Sequence, residues 1–303
     1  MNNDNEYIPK HVNTSSKLPT KKKRRIKVKA VTLGLIFLVC LIIFIVCFSN
    51  VIGWVKDSNK NNQMIDEITE DVTIEEVPDT NDTELVNEEP KKESDYWYYV
   101  KQSLISVDID ALKVKNSDTL GWISVNNTNV NYPFVQASDN DYYLKHAFDK
   151  SNNSAGWIFL DYRNNKDFSD KNNILYGHAR RDNSMFGSLR SVITKDWYSN
   201  KDNHIIKLST ETENTMWQIF SVYRIETESY YLTTTFSTNL EYERFLSTIK
   251  ERSLYDFDVT LSRNDKILTL STCSGEHNRI VVHAKLIKRS SRKAHNMCFF
   301  SYN

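Results

Sequence analysis

Cysteine is scarce in this chain of 303 residues, with only Cys40, Cys47, Cys273 and Cys298 present. Two of these fall inside an apolar run and one near the C-terminus, so no disulfide framework is indicated. Net charge is also missing: 39 basic residues balance 39 acidic ones. That gives no broad basic field and no reason to expect a nucleic-acid binder. There is no Gly-rich phosphate loop and no internal repeat. No arrangement of ligating side chains suggests a metal site; His277 and His283 stand six apart across a turn and a strand, without a carboxylate pattern, and His283 reads as an outward strand residue. No cofactor is therefore expected. What is present is 40% hydrophobic and 12% aromatic residues, enough to fill a core. The length allows one large domain or two small ones.

The charges are unevenly placed. Residues 1–29 are polar and then basic, ending in Lys21–Arg25, Lys27 and Lys29. Residues 30–55 hold no charged side chain and are mostly Leu, Ile, Val and Phe. Roughly 20 such residues cross a bilayer as a helix, and the run lacks the short core and small-residue cleavage site of a signal peptide. The basic flank places the N-terminus in the cytoplasm and everything after Val55 outside the cell. Residues 56–95 follow; from Asp57 to Asp95 they hold 14 acidic residues against three Lys. Such a segment buries too little to offset its ordering entropy and reads as an extended, disordered stalk.

The composition changes at Tyr96, and residues 96–288 look globular. Tyr96 to Lys115 reads as one or two short helices. Strand-like runs follow at Gly121–Val125, Val130–Val135, Gly156–Tyr162, Asn173–Tyr176, His204–Leu208, Thr215–Val222, Asp258–Leu261, Lys266–Thr272 and Arg279–Ile287. Many short strands at close spacing predict a mainly β (α+β) domain, a barrel or sandwich. Two helices interrupt them. One, capped by Asn183 or Ser184, carries Met185, Phe186, Leu189, Val192 and Ile193 on one face. The other, at 239–252, starts with a capping box of Thr238 and Glu241 and buries Tyr242, Phe245, Leu246 and Ile249. Residues 289–303 form a C-terminal tail.

Two places carry chemistry. The β-rich run Ile267–Thr272 ends at Cys273, and a five-residue turn containing Gly275 leads into Arg279–Val282. As a hairpin, this sets Cys273 opposite Arg279, with Cβ atoms about 5 Å apart. A guanidinium there favours the thiolate and can stabilise an oxyanion. The bland alternatives are a small buried cysteine and a solvated arginine. His178 ends the apolar strand Asn173–Tyr176-Gly177-His178, where a side chain rests on a rigid support, and imidazole suits proton transfer near neutral pH. Periodicity alone does not bring His178 to Cys273.

The combination Thr269-Leu270-Ser271-Thr272-Cys273 followed by Arg279-Ile280-Val281-Val282 resembles the active-site strands of class B sortases. Leu175-Tyr176-Gly177-His178 with Met185-Phe186 is similar to the family's histidine segment. Asn131-Tyr132-Pro133, Asn140–Leu144 and Ile158–Asn164 agree, and the helix at 239–252 fits the one inserted before the catalytic strand. The resemblance spans residues 96–288. It implies a closed sortase barrel with N-terminal helices and a cysteine transpeptidase activity of the thiol-peptidase type. Such an enzyme cuts the C-terminal sorting signal of a secreted protein through a thioacyl intermediate and transfers that protein to an amine of a lipid-linked cell-wall precursor. Cys273 would then be the nucleophile, His178 the proton carrier and Arg279 the oxyanion or substrate holder. Ser271, Asn140, Leu144, Thr227, Tyr231 and Leu232 would line the peptide groove. One departure stands out: Ala179-Arg180 follows the histidine where class B members often carry Asn-Met. The alternatives left open are a pilin-polymerising sortase, a thiol peptidase, and a stalked binding module with no enzymatic activity.

Overall fold

A computed structural model of the protein describes residues 28–86, 95–226, 228–273 and 278–292. The chain divides into two units, residues 1–51 and 52–303. Helix α1 (Val28–Asp71) begins in the first and ends in the second. In the first unit its apolar side chains, Leu33, Phe37 and Phe44 among them, stand exposed. From Val31 it is long and apolar enough to cross a membrane, by length and composition.

The acidic segment departs from the extended chain expected of it. Residues 56–71 are helical, β1 (Ile74–Val77) pairs with β3 (Leu104–Val107), and β2 (Thr83–Leu85) pairs with the last strand. The reason is a thin apolar stripe that average composition conceals. Met64, Ile65, Ile68 and Val72 recur at helical spacing, and Ile68 and Val72 lie buried in the main core. Between β1 and the barrel run α2 (Tyr96–Tyr99), β3 and α3 (Ile109–Lys115), so two short helices do form, with an unanticipated strand between them.

The rest is the closed barrel. Its strands are β4 (Thr119–Val125), β5 (Asn131–Val135), β6 (Phe159–Leu160), β7 (Asn172–His178), β8 (Ile205–Thr210), β9 (Glu213–Glu226), β10 (Ile267–Cys273) and β11 (Asn278–Ser291). The order β10-β7-β6-β5-β4-β8-β9-β11 closes on itself through antiparallel β10–β11 pairing, giving eight strands with no free edge between first and last. Strand β11 runs to Ser291, three residues past the expected domain end. Closure matters for the site because β10 also lies parallel to β7. Both are buried along nearly their whole length, at polar as well as apolar positions. Trp122, Trp157, Trp217, Phe134 and Phe220 fill the core.

Helix α4 (Lys195–Ser199) precedes β8, and α5 (Asn239–Glu251) precedes β10. Thr238 accepts from Glu241 N, while the Glu241 carboxylate accepts from Ser237 N, and α5 buries Tyr242, Phe245, Leu246 and Ile249 as expected. Two expected elements are absent. Asp258–Leu261 is irregular: Asp258 takes a positive φ of 51°, outside the extended range, and Lys250 and Lys285 side chains donate to the Val259 and Thr260 carbonyls. The helix expected at 184–193 is a 3-10 stretch at Gly187–Ser191, because Asn183 and Met185 take positive φ of 64° and 51°. Met185, Phe186, Leu189 and Val192 are nevertheless fully buried, so the apolar spacing reported burial and not backbone geometry.

His283 corrects a third reading: it is not outward but fully buried. Nearly every residue of β11 is covered on both faces, so alternation along the strand carries no signal. Thr269 Oγ1 donates its one proton to Asn172 Oδ1, 2.6 Å away, and so accepts from His283 Nδ1. His283 Nε2 then accepts from Tyr223 at 2.8 Å. The imidazole is neutral, and burial pushes its pKa down to about 3 from 6.5. Between those values the unfolded chain binds a proton that the folded chain refuses. This group therefore lowers stability as pH falls from 6.5, by about 1.4 kcal/mol per pH unit. His204, also shifted down by burial, acts in the same direction. In urea unfolding of the detergent-solubilised chain between pH 6.5 and 4.5, His283→Gln is expected to lower stability overall. It is also expected to flatten the slope by about one proton relative to wild type; an unchanged slope would refute the neutral assignment.

Candidate active site

The site begins with two strand ends. Cys273 closes β10 and His178 closes β7, and the parallel register makes them direct partners. Adjacent strands lie about 4.8 Å apart, so the backbone alone brings these two positions together. The parallel pairing of β7 with β10 achieves this between segments far apart in the chain, which no local pattern in the sequence could have indicated.

His178 is half-buried, and its Nε2 lies 2.9 Å from the Leu144 carbonyl. A carbonyl only accepts, so Nε2 carries the proton and Nδ1 is the basic nitrogen of the neutral ring. The carbonyl is itself held firmly. Leu144 ends a 3-10 turn, Tyr142–Leu144, whose first amides are capped by Asp139. Those two bonds hold the Asp139 carboxyl below its usual range. Tyr143 donates to Asp118 at 2.7 Å, and its own carbonyl accepts from Trp157 N at 2.8 Å. Between these segments sits Gly156, at φ +61°, where a Cβ would stand 2.9 Å from His178 Cδ2 and 2.6 Å from the Tyr143 carbonyl. Sequence reasoning missed Gly156; a glycine opening a strand-like run is its only trace.

Arg279 is the second residue of β11, and its Nη1 lies 3.4 Å from the Tyr231 hydroxyl. That hydroxyl is 2.9 Å from Ser271 Oγ on β10, two residues before Cys273. Three of the expected residues are thus joined in one chain of contacts. Tyr231 is fully buried on a 3-10 turn, Tyr230–Leu232, and the buried network fastens this turn from both ends. Asn172 Nδ2 donates to the Tyr231 and Thr233 carbonyls, and Tyr230 donates to Tyr223, the partner of His283. Burial, reinforced by the Tyr230 bond, raises the Tyr223 phenol. Satisfied buried networks of this kind fix one geometry.

Two further residues expected to line a groove, Asn140 and Leu232, contact residues 161–163. Arg163 bonds both oxygens of fully buried Asp161, at 2.9 and 2.6 Å, and donates to the Leu232 carbonyl at 3.0 Å. Burial pushes the Asp161 carboxyl up, but bonds from Arg163 and Tyr176 outweigh it and hold the group below its usual range. Asn140 Oδ1 accepts from Tyr162 N at 3.0 Å. Leu144 and Leu232 are half-buried, and Tyr162 is exposed. Thr227 lies outside the described residues.

This is a closed barrel in which a cysteine strand lies parallel to a histidine strand and antiparallel to the strand that carries Arg279. The sortase-domain pattern matches residues 123–287. Sortase B of Listeria monocytogenes is 38% identical over 182 residues, covering 59% of this chain and 73% of its own length. Among solved structures, a Staphylococcus aureus sortase B–substrate complex aligns with TM-score 0.56 and 36% identity, over 59% of this chain and 84% of that one. A sortase B complexed with triglycine aligns with TM-score 0.57 and 35% identity, over 59% and 85%. The chain belongs to the sortase family, the cysteine transpeptidases, and within it to class B.

Proposed function

We propose that this protein is a membrane-anchored transpeptidase that cuts the C-terminal sorting signal of secreted proteins and joins the new C-terminus to an amine of a lipid-linked cell-wall precursor. Residues 30–55 would be the anchor, residues 1–29 would lie in the cytoplasm, and residues 96–288 would form the catalytic domain outside the cell. The observation that carries the reading is the register of Cys273 against His178 on closed strands.

The chemistry runs in two halves. The Cys273 thiolate attacks a peptide carbonyl; the C–N bond breaks, a thioester forms, and the departing amine takes its proton from the His178 imidazolium. The incoming amine then gives a proton back to His178 as it attacks the thioester and releases Cys273. Neutral His178 accepts at Nδ1, because Nε2–H is committed to Leu144. Arg279 is anchored against Tyr231 and supplies fixed positive charge where the oxyanion grows. Ser271, Asn140, Leu144, Thr227, Tyr231 and Leu232 are assigned to the peptide groove. A solved sortase B complex with substrate and another with triglycine fit a peptide donor and an amine acceptor here.

The test uses the full chain in lipid nanodiscs, with Cys273→Ala as the blank. It is incubated with sorting-signal peptides, with and without oligoglycine or diaminopimelate amines, and products are read by mass spectrometry. A Cys273-dependent peptide–amine adduct is expected. Cleavage without an adduct under every amine would mark a thiol peptidase instead, and no Cys273-dependent product at all would overturn the enzymatic reading.

A further inference from the structure

The residue that departs from the class pattern, Arg180, is not at the groove surface. It is 7% exposed, and its guanidinium stacks 4.7 Å over the Trp54 ring of α1 and donates to the Trp54 carbonyl at 3.3 Å. One turn further along α1, Asp57 accepts from both Ser154 N and Ser154 Oγ. The next turn brings Asn61, which is fully buried. Its Nδ2 donates to the Gly156 carbonyl at 3.0 Å, and its Oδ1 accepts from Asn153 Nδ2 at 2.8 Å. The helix is held in place beyond this point by Ile68 and Val72 in the core and by Asp71 paired with Lys115 at 2.6 Å.

These contacts converge on one side chain. Gly156 is the residue whose missing Cβ admits the His178 ring and the Leu144 carbonyl that orients it. Arg180 lies two residues beyond His178, and its N donates to the His178 carbonyl at 3.0 Å. One helical face therefore grips both segments that set the imidazole. Its polar residues Asp57 and Asn61 sit four apart, as they must to meet one loop.

We infer that residues 54–71 of α1 are a positioning element of the active site, with Asn61 as the residue that holds the Gly156 loop against His178. The inference rests on His178 being the proton carrier. Asn61 does not touch the reacting atoms; it fixes the plane of the Gly156 carbonyl. Removing its amide leaves the buried Gly156 carbonyl without that donor and leaves Asn153 Nδ2 with only its 3.1 Å bond to the Asp57 carbonyl, which loosens the loop. A displacement of about 1 Å at a proton carrier is enough to cost on the order of 100-fold in rate. A domain begun at Tyr96, where the sequence alone places the catalytic boundary, would lack the whole element.

The experiment compares Asn61→Ala with Ile68→Ala in the full chain in nanodiscs. Ile68 docks the same helix in the core and has no polar side-chain atom with which to hold the Gly156 loop, so it controls for lost stability. For Asn61→Ala, kcat for transfer is expected to fall about 10- to 100-fold while peptide KM moves less than about threefold. Amides of residues 143–157 should lose hydrogen-exchange protection. Ile68→Ala, measured at the same distance below its Tm, should keep kcat within about twofold and keep that protection. Equal losses of kcat in the two variants, or unchanged protection in Asn61→Ala, would overturn the inference. If Asn61→Ala fails to fold, Trp54→Ala at the helix edge is measured instead, with a fall of about three- to tenfold expected. If the wild type transfers nothing, the functional reading falls, and the exchange data still decide whether the helix holds the loop.

Discussion

Cys273→Ala and His178→Ala are each expected to lower kcat/KM for peptide transfer by about 10⁴-fold or more, and the double variant to lower it no further. The register makes the two residues neighbours on strands that cannot slide, since β10 is paired on both sides. Without the thiol there is no thioester for His178 to serve. Without the imidazole the departing amine has no acid, and the second half-reaction has no base. Groups that act as one unit give losses that do not add. Both variants should fold. His178 is half-buried and its Leu144 bond is worth about 1 kcal/mol, so the Tm should shift by only a few degrees. Steady-state transfer by the four proteins completes the cycle. Additive losses would mean that the two residues serve separate steps, and a Cys273→Ala enzyme within tenfold of wild type would remove the nucleophile assignment.

The parts of this site that were legible in the sequence are those set by local rules. An apolar β-rich run that stops at a cysteine, and another that stops at Gly-His, place both residues at strand ends whatever the partner strand turns out to be. Their meeting was not legible, because it depends on the parallel pairing of two strands far apart in the chain, and the resemblance to class B sortases supplied what periodicity could not. The contact of Tyr231 with Ser271 and Arg279 likewise joins three stretches of chain that only the fold brings together. His283 shows a different limit. On a strand buried on both faces, a polar residue in an apolar run gives no sign of its direction, and only the partners Tyr223 and Thr269 explain it. The acidic segment shows a third. Its charge fraction argued for a solvated chain, yet four apolar residues at helical spacing were enough to dock it, and its two polar side chains became part of the site's support.

Gly156→Ala is expected to cost about 2–4 kcal/mol of stability and, separately, on the order of 100-fold in kcat. The two losses have different causes. Backbone at φ +61° is open to glycine and costs an L-residue about 1 kcal/mol. The added methyl would then lie 2.6 Å from the Tyr143 carbonyl, 2.9 Å from His178 Cδ2 and 3.0 Å from the Leu144 carbonyl. No rotamer relieves a Cβ, so the neighbours must move. Tyr143 O is bonded to Trp157 N and Leu144 O to His178, so any movement that frees the methyl lengthens one of those bonds or swings the ring. The barrel supplies a control. At Gly121 a methyl would stand 2.5 Å from the Ser209 carbonyl and 2.7 Å from the Phe134 ring, in the wall between β4 and β8. Gly121→Ala should therefore lose stability and keep the kcat of its folded fraction, while Gly156→Ala should lose both. Unfolding curves give the first quantity, and transfer rates at a temperature where both variants are folded give the second. A Gly156→Ala enzyme with wild-type kcat would mean that His178 finds its place without this loop.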